Sequence, residues 1–254
     1  MASSTATPKS APCRLIVVGG HTRSIGKTQL VCDLIAALPQ AQWLAGKITL
    51  YGHGVCAQNG QDCDCAPTDH VVALDWQSAD NTLTHPGPDS ARFLQAGAER
   101  AFWLRTKQGF LAEGMPLLRD ALLNAKELRE PANGSGIKPL HSGISADATE
   151  NGVNVIIESN SLLQFVKPSL YVTVFDAARE DFKDSARQML DRADVFVFRR
   201  GLDENDVTRP PWLQLPAQLL REKPTLLQRE GEPLPEPLFQ LVKRILESPP
   251  TVTV

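Results

Sequence analysis

The segment VVGGHTRSIGKTQL, residues 17–30, joins two different sequence patterns. Before its glycines, Arg14 leads into LIVV (residues 15–18), an unbroken apolar, largely β-branched run, as in a strand buried on both faces. After them, Leu30, Val31, Leu34, Ile35 and Leu38 recur at helical spacing until Pro39 stops the run. A phosphate concentrates negative charge, and the successive N–H groups of a glycine-rich turn at a helix N-terminus answer it. A lysine adds a mobile cation, and a following threonine offers a hydroxyl to Mg²⁺. The order strand, glycines, Gly26-Lys27-Thr28, helix therefore predicts a phosphate site. It would be built from Gly20, His21, Thr22, Arg23, Ser24, Ile25, Gly26, Lys27, Thr28 and Gln29. The common spacing G-x-x-x-x-G-K-[ST] would put its first glycine where His21 stands, so the loop from Gly20 is one residue longer.

The rest of the chain repeats the alternation. Strands are predicted at residues 43–49, 101–105, 153–157, 170–175, 195–198 and 225–228. Helices are predicted from Asp89 through Ala96, at 110–126 with an interruption near Gly114 and Pro116, around 181–190, and near 237–247. Residues 51–70 and 127–152 lack periodicity and read as loops, the second one flexible. Strands alternating with helices imply an α/β fold, doubly wound, with a mostly parallel sheet and helices on both faces. The expected organisation is a disordered lead-in (1–12), one nucleotide-binding domain (13–205), and a Pro-rich C-terminal extension (206–254) packed on it.

Composition narrows the function. A net charge of −3 gives no electrostatic reason to expect general nucleic-acid or acidic-membrane binding. No apolar run approaches the ~18–20 residues of a membrane span. Five cysteines with no secretion signal argue for a reducing, cytoplasmic setting rather than a disulfide framework. Cys13 and Cys32 fall on a strand start and a helix, where packing is the expected role.

The loop GHTRSIGKT resembles the lengthened phosphate loop of dethiobiotin synthetases. Those enzymes share a branch of P-loop proteins with the nickel-insertion GTPases and the molybdopterin-guanine dinucleotide adapter proteins. The adapters carry a lysine after the second strand, a His-rich stretch, and a D-S-x-R-x-x-x-A-G-A segment. Here Lys47, His53 and DSARFLQAGA (residues 89–98) stand in that order. VIIESNS and LYVTVFDA, within residues 153–198, are similar to segments of the nickel-insertion GTPases. The resemblance implies a P-loop fold, Mg-ATP or Mg-GTP as ligand, a homodimer, and a partner protein in metal-cofactor or molybdopterin assembly. It also implies that Lys47 faces the nucleotide or a second substrate. The GTPases read guanine with N-K-x-D after a late strand, but residues 195–198 run into Arg199 and Arg200, so ATP and GTP both stay open.

Glu158 ends a predicted buried strand, where a carboxylate can hold Mg²⁺ and orient an attacking water. Asp176 follows the next strand and is a second candidate for the same ion, beside Thr28. Cys56, Cys63 and Cys65, flanked by His53 and His70, supply three thiolates and an imidazole, the ligand count of a Zn²⁺ site. An iron–sulfur cluster is the weaker competitor, because a fourth nearby cysteine is missing.

The expected function is a P-loop NTPase with slow hydrolysis, in which Lys27, Lys47 and Glu158 act on the phosphates and a Cys/His metal site serves cofactor assembly. Two alternatives stand beside it. One is an ATP-dependent ligase or kinase with its acceptor pocket at Lys47 and residues 51–70. The other is an adapter that retains nucleotide without turning it over.

Overall fold

The fold is organised around β1 (Pro12–Gly20), whose side chains alternate between two cores. Leu15 and Val17 enter one core, and Ile16 and Val18 enter the other. Such a strand is buried on both sides, which is why its sequence is a continuous apolar run rather than an alternating one. The computed structural model describes residues 12–52, 54, 56, 69–78, 89–127, 152–200 and 215–253. The expected lead-in up to residue 11, most of the 127–152 loop, and residues 206–214 fall outside them.

After β1 come α1 (Lys27–Ala37), β2 (Leu44–Tyr51), β3 (Val71–Ser78), α2 (Asp89–Gln95), β4 (Arg100–Lys107) and α3 (Leu111–Glu127). Then follow β5 (Val153–Glu158), β6 (Leu170–Phe175), α4 (Asp184–Arg187), β7 (Val195–Phe198), α5 (Ala217–Glu222), β8 (Thr225–Leu227), α6 (Glu236–Glu247) and β9 (Val252–Thr253). The sheet runs β3-β4-β2-β5-β1-β6-β7-β8. All neighbours on this path are parallel except β3, which is antiparallel to β4, and β9 adds a short antiparallel pairing to β1. The chain is thus α/β with a mostly parallel sheet. Among the described residues no helix is long and apolar enough to cross a membrane.

The two cores lie on opposite faces. One gathers Leu30, Leu34 and Ile35 of α1, Phe93 and Leu94 of α2, and Leu238 and Val242 of α6. The other gathers Leu111, Leu118 and Leu122 of α3 with Phe175, Phe196 and Phe198 from the strands. Burying a Leu or Phe side chain contributes about 1.5–3 kcal/mol, so these two layers hold most of the fold.

Three elements depart from expectation. β3 follows the 51–70 segment, at residues for which no element was predicted. α3 runs through Gly114 and Pro116 without the expected interruption. The helix expected around 181–190 is reduced to the single turn of α4, followed by a 3₁₀ turn at Leu190–Arg192.

Candidate functional site

β1 ends at Gly20, so the loop to Lys27 leaves from the carboxyl end of a strand in the middle of the sheet, between β5 and β6. In open α/β sheets ligands collect there. Gly26 opens α1 with φ 87° and ψ 17°, a left-handed conformation that suits glycine. Its carbonyl accepts the first helical bond, from the Leu30 N–H at 3.0 Å. Ser24 also has a positive φ, 53°. The base of the loop is held by Asn160, whose side-chain amide pairs with both the N–H and the C=O of Gly20, each at 2.9 Å. That pairing needs Gly19 bare, because a Cβ there would stand 2.1 Å from Asn160 Oδ1.

His21 and Thr22 anchor the loop. His21 is fully buried and stacks on Phe175, with ring centroids 5.6 Å apart, and its Nε2 lies 3.0 Å from the Arg179 carbonyl. Burial is the main influence on the His21 imidazole and pushes its pKa below the usual 6.5. The Thr22 hydroxyl donates to Asp181, and the Lys183 N–H donates to the His21 carbonyl at 2.9 Å. Residues 179–183 therefore cross the loop as a strap, which is why the helix expected there shrinks to one turn. Arg23 and Ser24 are exposed at the loop tip, and Ile25 is buried beneath it.

Four charged side chains meet at the loop mouth. Glu158 of β5 is in register with Lys47 of β2, so the two project side by side from neighbouring strands. Lys47 Nζ is 3.4 Å from Glu158 Oε1 and also donates to Asp89 in the first turn of α2. Burial lowers the Lys47 pKa, but Glu158 and Asp89 outweigh it and hold the ammonium above its ordinary 10.5. The Thr28 hydroxyl donates to Glu158 Oε2 at 2.6 Å. Lys27 turns back and donates to the Thr22 carbonyl at 2.6 Å. Burial lowers its pKa, Glu158 opposes this, and Lys47 adds to the lowering. Gln29 points away, donating to Asp33 at 2.7 Å. Asp89 belongs to this cluster, although in the sequence it reads as a helix start and as the first residue of the DSARFLQAGA segment.

The metal expectations do not hold. Among the described residues no group of three or more His, Cys, Asp or Glu side chains is placed to hold a metal ion. This corrects the expectation of Mg²⁺ on Thr28, Glu158 and Asp176. Thr28 and Glu158 are bonded to each other, whereas the buried Asp176 carboxylate takes Arg200 through Nε at 3.0 Å and Nη2 at 2.7 Å, plus the Ala178 N–H at 3.0 Å. It likewise corrects zinc, or an iron–sulfur cluster, at Cys56 and His70. Cys56 is buried, and the His70 ring stacks on Phe110 at 3.8 Å with Nδ1 3.3 Å from Glu113. His53, Cys63 and Cys65 lie outside the described residues. Cys13 and Cys32 are buried, which pushes their thiols up to about 12 and about 11.

No protein-family model and no curated protein matches this chain. Its function is therefore argued from the loop and the four charges around it.

Proposed function

We propose that this chain is a P-loop protein that binds ATP or GTP by its phosphates in the loop of residues 20–28 and hydrolyses it slowly. The observation that carries the reading is the convergence of Lys27 and Lys47 on the mouth of a loop closed by a left-handed Gly26 at the start of α1. Free N–H groups of a helix's first turn attract anions, and two ammonium groups offset the charge of a polyphosphate. Glu158, between Lys47 and Thr28, is the carboxylate within reach of a water attacking the terminal phosphate.

A second reading has support in Lys47. A second cation beside the loop, held by Asp89 from another element, suits an acceptor substrate with an acidic group, as in a ligase or kinase. Without an N-K-x-D segment after β7, the choice between ATP and GTP stays open. The homodimer and the cofactor-assembly partner implied by the resemblance belong to the same proposal.

Calorimetric titration of wild type and Lys27→Ala with ATP and with GTP tests the reading. Binding by wild type that the variant loses supports it, and equal binding by both discards the site. Turnover without any added acceptor favours the hydrolase, whereas turnover only with a small acid or amine favours the ligase or kinase.

A further inference from the structure

Arg199 follows β7 directly, yet its side chain is buried rather than turned to solvent. Its Nη2 donates to the Gly26 carbonyl at 3.1 Å and lies 3.5 Å from Asp33 Oδ2. The guanidinium also fills the space beside the Gly26 Cα, since a Cβ there would lie 3.0 Å from Arg199 Nε. Asp33 accepts in addition from Gln29 at 2.7 Å and from the fully buried Gln228 at 3.0 Å. Gln228 continues from β8, and its N–H bonds the Phe198 carbonyl at 2.9 Å.

From this network we infer that Arg199 is the positioning residue of the glycine loop, and that the turn after β8 is part of the same device. The inference rests on the phosphate reading above. The Gly26 carbonyl is the first acceptor of α1 and points along the helix, away from the N–H groups that a phosphate would meet. Arg199 thus grips the loop on its acceptor side and leaves its donors to the ligand. It keeps Gly26 left-handed in two ways, by a charge-assisted bond and by steric contact. Asp33 of α1 orients the guanidinium, and Gln228, just after β8, holds Asp33 in turn. Arg199 therefore acts through Gly26.

The test compares Arg199→Ala, Arg199→Lys and Val197→Ala with wild type, each by nucleotide titration and by thermal melting without nucleotide. Val197 is buried in the core that also holds Ile25 and Leu30, and its side chain carries no polar group to meet a ligand, so its truncation controls for lost packing. Arg199→Ala should weaken ATP or GTP binding roughly ten- to a hundredfold, the scale of one charged hydrogen bond. Val197→Ala should melt earlier with its affinity unchanged, and Arg199→Lys should fall between wild type and Arg199→Ala. Methylguanidinium added to Arg199→Ala should restore part of the lost affinity. Should Arg199→Ala be unfolded, Arg199→Lys decides alone, with weakened binding supporting the role. Wild-type affinity in Arg199→Ala, or a loss matched by Val197→Ala, overturns the inference while leaving the phosphate site standing. A wild type that binds neither nucleotide overturns the phosphate reading itself, and this inference with it.

Discussion

Lys27 Nζ donates to the carbonyl of Thr22, five residues earlier in its own loop, at 2.6 Å. The contact closes the loop on itself and holds the ammonium between two carboxylates and a second lysine. A polyphosphate entering the loop would compete with one carbonyl oxygen for a cation that burial already disfavours. Charged phosphate oxygens are the stronger acceptors.

The Lys27 environment sets a pH signature. Its pKa in the folded chain lies below the 10.5 of an ordinary lysine, so the unfolded chain binds more protons between the two values. Stability should therefore rise with pH across that window and level off near 10.5. Lys27→Met should remove the rise and be at least as stable as wild type at neutral pH. Chemical denaturation of both proteins from neutral pH to about 10 checks this, within the range where an ordinary lysine stays charged. A parallel pH dependence in the two proteins would contradict it.

Glu158→Gln should separate binding from turnover. The change removes a negative charge beside the proposed phosphates, so affinity for ATP or GTP should hold or improve. Hydrolysis should fall at least ~tenfold if the carboxylate orients the water. Lys47, now paired only with Asp89, should lose part of the influence that raises its pKa. Steady-state turnover set against calorimetric affinity distinguishes this from a purely structural role, in which both would fall together.

Gly19→Ala should damage the site from beneath. The added Cβ would meet Asn160 Oδ1 at 2.1 Å and the hydroxyl of the buried Tyr171 at 2.7 Å. Asn160 would have to release its two bonds to Gly20. A cost of about 1–3 kcal/mol is expected from overpacking, together with weakened nucleotide binding. Urea unfolding measures the first and titration the second; an unperturbed Gly19→Ala would mean the loop base is looser than described.

His21 predicts an acid limit. Its folded pKa lies below the ordinary 6.5 because burial disfavours the imidazolium, so the unfolded chain takes up the proton first. The stability held by neutral His21 should be complete above pH 6.5 and decline as pH falls toward the lowered folded value. His21→Phe keeps the stack on Phe175 and the tilted contact with Phe182 but cannot titrate, so its stability should vary less between pH 6.5 and about 5. Melting temperatures of both proteins across that interval give the comparison.

The first strand, the glycine loop and α1 were legible because each is a local pattern: a β-branched run, a glycine turn, a helical period. β3 was not. It is an antiparallel edge strand whose VVALDWQS sequence mixes Asp75 and Gln77 into an apolar run. α3 ignores the warning of Pro116 because that residue and Ala112, whose carbonyl loses its partner, both face solvent. The 181–190 segment has helical residues, but Asp181 and Lys183 are committed to Thr22 and His21. Glu158 was readable as a strand-end charge, whereas Lys47, expected after the second strand, lies within β2, and Asp89 and Arg199 were not readable as neighbours of the loop. Only the sheet order brings α2 and the end of β7 to the same crevice.

The Gly20 and His21 N–H groups are already bonded to Asn160 and Val174, so the central claim is that the main-chain N–H groups from Ser24 to Thr28, together with Lys27, bind a polyphosphate. The most direct measurement is an ¹⁵N-resolved titration of the assigned backbone amides with ATP and with GTP. The account predicts that the largest shifts fall on the amides of Ser24, Ile25, Gly26, Lys27 and Thr28 and vanish in Lys27→Ala. Shifts centred on another part of the sheet, or none at saturating nucleotide, would contradict it.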